Sequence, residues 1–145
     1  MIYQQTSIII NSDIEKSWNV LQKTMTSGEN FSVFNSCFSI DVISEIEGQI
    51  KRVLNFTDRV EEEIVTVSFQ NYRITVTITN NGSYCGEVSY NLLKPSDPFL
   101  SEKQCSLLII SAWRMVPGVF AAPLIDKQEY INSISTNLKA EIEIS

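Results

Sequence analysis

The stretch DKQEYINSISTNLKAEIEI, residues 126–144, closes the chain and decides its fold. Asp126 is followed three residues later by Glu129, the pattern of a capping box, so a helix is predicted to begin there. Four apolar residues then recur at intervals of three and four, which places them on one stripe of that helix. They are Ile131, Ile134, Leu138 and Ile142. The sequence therefore predicts a long amphipathic helix whose stripe needs an apolar partner.

Ahead of this helix the sequence predicts β-strands from residue 37 to residue 115. Apolar and polar residues alternate there, most plainly in residues 72–79 (YRITVTIT), as they do in a strand with one buried face. Turn signals at Glu47-Gly48 and at Asn80-Asn81-Gly82 join such strands into hairpins. Short links between consecutive strands predict an antiparallel meander of six strands.

The start of the chain adds one strand and two helices. Residues 6–10 (TSIII) are rich in β-branched side chains and predict a first strand. Ser12 and Glu15 form a second capping-box pattern, and apolar residues around Trp18 then recur at helical spacing. Residues 29–35 (ENFSVFN) predict a short helical turn. The long closing helix is the obvious cover for the apolar face of the sheet.

Size and charge limit the possible classes of function. A chain of 145 residues, 43% hydrophobic and 19% charged, is typical of one globular domain, so residues 1–145 are predicted to form a single α+β domain. The net charge of −6, with no basic cluster, argues against nucleic acid or an anionic membrane as a partner. No apolar stretch approaches the roughly 18 residues of a membrane span, so no stable membrane insertion is expected.

The cysteines and the start of the chain predict a cytoplasmic protein. Cys37, Cys85 and Cys105 are odd in number and form no CxxC motif, which is typical of free thiols in a reducing compartment. Residues 1–16 have no basic region and only a three-residue apolar run, so no signal peptide is predicted.

Side chains suited to acid–base, metal or cofactor chemistry are scarce. The sequence contains no histidine, which removes the usual proton carrier near neutral pH, and neither a metal site nor a cofactor motif is predicted. The adjacent carboxylates Glu61, Glu62 and Glu63 are interpreted as a solvated strand edge or turn. No pair of acids is predicted on one inner face, so a two-carboxylate site is not indicated.

The element order, together with residues 7–21 (SIIINSDIEKSWNVL), resembles the START-like superfamily, also called SRPBCC or helix-grip proteins. That superfamily includes the birch pollen allergen, lipid-transfer domains and polyketide cyclases. Three further segments look like the small AtaL-like branch. They are residues 50–56 (IKRVLNF), 80–93 (NNGSYCGEVSYNLL) and 106–115 (SLLIISAWRM).

The resemblance implies a helix-grip fold, in which a curved antiparallel sheet of about seven strands, in the order β-α-α-β6-α, wraps around the long C-terminal helix. In this superfamily a cavity between sheet and helix commonly takes an apolar or aromatic small molecule. Some members are cyclases, aromatases or hydrolases, and many only bind. The fold alone does not choose between these activities.

One arginine and several aromatic residues on predicted inner faces are the candidate ligand-binding groups. Arg52 shares a strand face with Ile50 and Leu54, where a buried guanidinium could anchor an anionic ligand; the alternative is a surface or ion-paired arginine. Ser111 lies on the same predicted face as Trp113 and could donate a hydrogen bond. Aromatic side chains that carry a polar atom can orient an aromatic ligand, or they can simply pack in the core. The aromatic candidates are Tyr72, Tyr84, Tyr90 and Trp113.

On the closing helix, Ile131, Ile134 and Leu138 either line such a pocket or fill it. If they line it, the protein binds a hydrophobic or aromatic, lipid-like or polyketide-like small molecule and needs no cofactor. A second hypothesis is an enzyme, a polyketide cyclase, dehydratase or aromatase without metal or histidine, in which a tyrosine or arginine polarises a carbonyl. A third is a protein-interaction domain, similar to START-like co-chaperones, whose cavity is collapsed.

The segment between the last strand and the closing helix allows three interpretations. Residues Val116–Ile125 (VPGVFAAPLI) are apolar but contain two prolines, so they are predicted to form neither a regular helix nor a central strand. They could form a hydrophobic lip over the pocket mouth, a contact that makes a homodimer, or a loop tucked against the sheet edge.

Overall fold

The computed structural model of the protein describes residues 2–80, 83–99, 104–114 and 127–145. Its helices are α1 (Ile14–Thr26), a 3-10 helix (Phe31–Val33) and α2 (Lys127–Ile144). The strands are β1 (Ile2–Ile10), β2 (Cys37–Ile46), β3 (Gln49–Phe56), β4 (Val60–Ser68), β5 (Arg73–Asn80), β6 (Ser83–Leu93) and β7 (Ser106–Arg114). This order of elements confirms the predicted α+β arrangement.

The seven strands form one antiparallel sheet in the order β1-β7-β6-β5-β4-β3-β2. From β2 to β7, consecutive strands pair with each other, and β1 closes the far side by pairing with β7. The pairing of β2 with β3 shifts register twice, and that of β5 with β6 shifts once, after Ile78. Such bulges bend a strand and turn its side chains to the other face. The predicted meander and the number of strands are confirmed.

Helix α1 begins one residue later than the capping-box pattern predicts. Asp13, and not Ser12, is the N-cap residue, because its carboxylate accepts a hydrogen bond of 2.8 Å from the backbone N–H of Lys16. At the other end the backbone N–H of Ser27 donates to the carbonyl of Lys23. The buried face of the helix consists of Ser17, Trp18, Leu21, Thr24 and Met25.

Gly28 allows the chain after α1 to pass close to the sheet. A Cβ atom at this position would lie 2.8 Å from the carbonyl oxygen of Ile40 on β2. Since that oxygen is part of the backbone, it could not move aside easily, and a larger residue would push the end of α1 away from β2.

Helix α2 packs its apolar stripe against the sheet as predicted. Ile131, Ile134, Leu138 and Ile142 are each 0% exposed. Near its C-terminal end the ammonium of Lys139 donates to the carbonyl of Ile9 at 2.8 Å, which fastens α2 to β1. The stripe therefore fills the space over the sheet rather than lining an open cavity. The predicted helix start at Asp126 lies outside the described residues.

Candidate functional site

Arg52 lies at the centre of the interior, on the inner face of β3. It is 0% exposed and alternates with the buried residues Ile50 and Leu54, as predicted. Its Nε donates to Oε1 of Glu63 at 2.8 Å, and its Nη1 donates to the carbonyls of Thr24 and Ser27 at 2.8 and 3.0 Å. Those carbonyls belong to the last turn of α1 and to its C-cap. Arg52 is therefore ion-paired inside the protein, which was the alternative to an anchor for an anionic ligand.

The acidic run on β4 is not the solvated edge that the sequence predicts. Glu61 is 9% exposed and Glu63 is 5% exposed, and both point to the inner face together with Val65. The reason is the strand register, which sets Glu63 opposite Arg52 and Glu61 opposite Leu54. Residues opposite each other in an antiparallel pair point to the same side. Counting back by twos from Val65 would have found this pair of inward acids, and the neighbouring Arg52 explains how their charge is tolerated.

A second arginine lies at the end of the sheet beneath the start of α2. Arg59 precedes β4, and its guanidinium lies 3.8 Å from the ring centre of Phe56 and 5.8 Å from that of Tyr130. Its Nε is 3.4 Å from Oε1 of Glu61, and its Nη1 is 3.0 Å from Oδ1 of Asp58. The Phe56 and Tyr130 rings are 6.4 Å apart. Neither Arg59 nor Tyr130 was singled out from the sequence, because their proximity depends on contacts distant in the chain.

Tyr90 is the predicted aromatic candidate that reaches the interior. It lies on the inner face of β6 between Val88 and Leu92 and is 3% exposed. Burial raises the pKa of Tyr90 far above its ordinary range, and Glu63 adds to that increase. Burial also raises the pKa of Tyr130, with Glu61 as the next cause. Both hydroxyls are therefore neutral phenols at physiological pH.

Six side chains together form what we call the polar cluster, set among the apolar residues between the sheet and α2. It contains two arginines, two glutamates and two tyrosines. One end is fully buried, and the other, near Arg59 and Tyr130, is partly exposed. Such an arrangement can donate or accept hydrogen bonds in a medium of low polarity, where they are strong. The members are Arg52, Arg59, Glu61, Glu63, Tyr90 and Tyr130.

Tyr72 lies apart from the polar cluster. It precedes β5, with a backbone φ of 48°, rather than starting the strand as predicted. Its hydroxyl donates to the carboxylate of Glu15, which is the main cause of a raised pKa for Tyr72, and its ring meets the edge of Trp18 at 5.6 Å. Tyr72 and Glu15 border an open groove of about 760 Å³ at the start of α1. The groove is lined by Asp13, Ile14, Glu15, Tyr72, Lys94, Gln104 and Cys105.

Tyr84 points away from the interior, which corrects its predicted place in the pocket. The bulge between β5 and β6 pairs Ile78 with Gly86 but Thr79 with Tyr84. Thr79 faces outward, since its hydroxyl donates to Glu62 on the outer side of β4. The extra residue therefore reverses the alternation that would have set Tyr84 on the same face as Tyr90.

Ser111 and Trp113 also lie on the outer face, contrary to the prediction. The buried residues of β7 are Leu108, Ile110 and Ala112, so the residues between them face the other way. The ring of Trp113 packs against that of the half-exposed Tyr3 on β1, 5.2 Å away. The sequence of β7 is apolar on both faces, and its alternation could not identify the inner one.

The remaining predictions concern metal binding, membrane insertion, the cysteines and the segment Val116–Ile125. Among residues 2–80, 83–99, 104–114 and 127–145 no cluster of His, Cys, Asp or Glu side chains could hold a metal ion. Within the same part of the chain, no helix combines the length and the apolar character needed to cross a membrane. The thiol of Cys37 is buried and takes part in no disulfide bond. Residues Val116–Ile125 lie outside the described part, so the lip, the dimer contact and the tucked loop remain predictions.

Comparison with known proteins identifies the fold through structure alone. No family model and no curated protein matches the sequence. Norcoclaurine synthase from Thalictrum flavum, solved in complex with dopamine and hydroxybenzaldehyde, is similar with a TM-score of 0.72 and 11% identity, over 99% of this chain and 87% of that one.

Two bacterial structures resemble this chain with slightly lower TM-scores. The Zhui aromatase/cyclase from Streptomyces sp. R1128 has a TM-score of 0.69 and 10% identity, over 98% of this chain and 93% of that one. The protein TTHA0849 from Thermus thermophilus has a TM-score of 0.69 and 12% identity, over 99% and 98%. The AtaL-like branch stays a prediction. These structures share with nearly the whole chain a seven-stranded antiparallel sheet closed by a C-terminal helix, which is the helix-grip fold.

Proposed function

We propose that the protein binds a hydrophobic or aromatic small molecule between the sheet and α2, at the end where Arg59, Glu61 and Tyr130 meet. The observation that carries the proposal is the polar cluster itself. Neutral tyrosine hydroxyls and paired charges stand among apolar side chains, and their outer end is partly exposed. Apolar walls with a few convergent polar groups are the usual composition of a small-molecule site.

Burial of ligand carbon would supply most of the affinity, at about 25 cal/mol per Å² of apolar surface before the ordering costs are subtracted. The rings of Phe56 and Tyr130 offer faces for an aromatic ligand, and the hydroxyls of Tyr90 and Tyr130 would set its orientation. The similarity to a synthase that holds dopamine and hydroxybenzaldehyde supports the proposal, because the same fold accommodates aromatic molecules of this size there.

Two observations modify the functions predicted from the sequence. Arg52, expected to anchor or polarise a ligand, already donates to Glu63 and to two carbonyls of α1. A cyclase-type reaction would therefore depend on the tyrosines.

The complete burial of Ile134 and Leu138 favours the collapsed, protein-interaction alternative for the middle of the sheet. We retain that alternative as the second candidate, and we keep the cytoplasmic location and the homodimer through Val116–Ile125 as proposals.

Native mass spectrometry of freshly purified protein tests the proposal most directly. We expect an added mass of a few hundred daltons that is lost on mild activation, because an apolar ligand taken up in the cell would remain bound through purification. A titration with the uncharged fluorophore Prodan gives a second readout, in which binding shifts the emission to the blue.

Matched variants locate the site. Tyr130→Ala should weaken Prodan binding at least tenfold, whereas Tyr3→Ala, which removes an equally large ring from the outer face, should leave it unchanged. Absence of both a co-purified mass and Prodan binding would refute the proposal and favour the collapsed alternative. Equal losses in the two variants would move the site away from α2.

A further inference from the structure

The pairing of charges inside the fold limits which molecules can bind there. We propose that the site selects an uncharged ligand, whose carbonyl or hydroxyl oxygen accepts a hydrogen bond from Tyr90, and that it rejects carboxylates and phosphates. This rests on the proposed function, since it describes the ligand of the same site. It reverses the expectation from the sequence, in which Arg52 anchors an anion.

Three of the five N–H donors of Arg52 already have strong acceptors. Its Nε is held by Glu63 at 2.8 Å, and its Nη1 is shared between the carbonyls of Thr24 and Ser27. Its Nη2 faces the sulfur of Met25 at 3.9 Å. A bidentate ion pair with a ligand carboxylate needs Nη2 together with Nε or Nη1, so it would displace Glu63 or release the end of α1, and each would leave another buried group without its partner.

The charge of Arg59 is neutralised as well. Its guanidinium contacts the carboxylates of Asp58 and Glu61 and covers the ring of Phe56 at 3.8 Å. Among the basic residues whose side chains the structure describes, only Arg52 and Arg59 belong to the interior; Lys139 donates to the carbonyl of Ile9 and to Glu143 at the far end of α2. Each interior cation thus already has a carboxylate partner.

An entering ligand would meet two buried carboxylates. Glu61 and Glu63 both face the interior from β4 and are almost completely buried. Since their charges are balanced by the two arginines, an added anion would bring an uncompensated negative charge into a region of low polarity beside two carboxylates. Both desolvation and like-charge repulsion oppose that step.

The hydroxyl of Tyr90 is the donor that we assign to the ligand. The hydroxyl of Tyr90 belongs to a side chain that is 3% exposed, and among the described residues it has no hydrogen-bond partner. A ligand oxygen that accepts its proton would gain a hydrogen bond in surroundings of low polarity, where such a bond is strong. Because the phenol stays neutral, it remains a donor over the whole physiological pH range.

Three naphthalene derivatives of nearly the same shape test the proposal. The uncharged ketone 2-acetylnaphthalene carries the acceptor oxygen, 2-isopropenylnaphthalene replaces that oxygen with a CH₂ group, and 2-naphthoate replaces the methyl group with a charged oxygen. Their dissociation constants are measured by equilibrium dialysis at pH 7.5. We expect the ketone to bind about tenfold more tightly than the alkene, and at least tenfold more tightly than naphthoate.

The same series with Tyr90→Phe isolates the hydrogen bond. This variant should bind the alkene as the wild type does and should abolish the tenfold advantage of the ketone. Tyr84→Phe, which removes a hydroxyl from the outer face, is the matched control and should keep that advantage. If Tyr90→Phe does not fold, the comparison of the ketone with the alkene on the wild-type protein still decides the matter.

The measurements distinguish a failure of the proposed function from a failure of the inference about ligand selection. If none of the three compounds binds, the proposed function fails and the inference fails with it. Equal affinities for ketone and alkene overturn the role of Tyr90, and a naphthoate affinity equal to that of the ketone overturns the charge selection. In both of these cases the proposed function stands.

Discussion

Two regions of the interior contain the same pair of residue types in different surroundings. In the closed region, Arg52 and Glu63 are 2.8 Å apart and fully buried beneath the end of α1. In the open region, Arg59 and Glu61 are 3.4 Å apart, with 11% and 10% of their side-chain surface exposed, and lie close to Tyr130. Arg52 donates three hydrogen bonds of 2.8–3.0 Å to buried acceptors, whereas Arg59 covers an aromatic ring and contacts the exposed Asp58 and, at 3.4 Å, Glu61. The difference indicates that the first pair fastens helix to sheet and that the second is available to form the wall of a site.

The largest expected effect is in the closed region, from Arg52→Ala. This change leaves the Glu63 carboxylate buried without its counter-ion and removes the donor from two carbonyls at the end of α1. We expect the free energy of unfolding to fall by about 3–5 kcal/mol, measured by urea denaturation. Arg59→Ala is the matched control, with a smaller expected loss of about 1–3 kcal/mol, because its contact with Glu61 is longer and it donates to no helix carbonyl among the described residues. Equal losses would show that the two regions do not differ in the way proposed.

A double variant separates the charge from the packing in the same region. Arg52→Met combined with Glu63→Leu removes both charges and keeps similar volumes, so no isolated buried charge remains. It should recover most of the stability lost in Arg52→Ala, since replacing a buried ion pair by apolar residues is often close to neutral. If it remains as unstable as Arg52→Ala, the hydrogen bonds to the carbonyls of α1, and not the ion pair, are the main contribution of Arg52.

The next effect tests whether the stripe of α2 fills the closed region. Leu138 is completely buried, so Leu138→Ala should reduce the free energy of unfolding by about 2–5 kcal/mol, the usual range when a core leucine leaves a cavity. Benzene should then raise the melting temperature of the variant but not that of the wild type. A loss below about 1 kcal/mol would mean that Leu138 lines a space that is already open.

A smaller effect depends on pH and compares the buried Tyr90 with an ordinary tyrosine. Burial holds the pKa of Tyr90 above its unfolded value of 10.0, so the folded state keeps a proton that the unfolded state loses. The stabilisation is present in full below pH 10 and is lost as the pH rises above it. Between pH 10 and pH 11 the wild type should lose about 1 kcal/mol more than Tyr90→Phe in urea unfolding. Parallel curves would mean that the Tyr90 phenol ionises freely in the folded protein.

Periodicity was sufficient to predict the framework from the sequence. The stripe of α2, the meander, and the inward position of Arg52 and Tyr90 follow from spacings of 3.6 and 2 residues. The wrong predictions lie where a bulge interrupts the two-residue periodicity of a strand, or where both faces of a strand are apolar. The bulge in β6 reverses Tyr84, and β7 is apolar on both faces, which hides the orientation of Trp113. The partners of Arg52 depend on strand register and on the position of α1, and no local pattern in the sequence encodes either.

The smallest effect extends the comparison to an ion pair outside both regions. Glu143 accepts a hydrogen bond from Lys139 one turn earlier on α2, and this bond is the main cause of its lowered pKa, followed by the backbone N–H of Asn11. A lowered pKa stabilises the folded state above the unfolded value of 4.5, and this contribution disappears as the pH falls through the folded pKa. We therefore expect Glu143→Gln to lose about 0.5 kcal/mol at pH 7 and to approach the wild type below pH 4, measured by urea unfolding. Since Arg52→Ala should cost several times more, a loss of similar size in Glu143→Gln would show that burial is not what separates the three pairs.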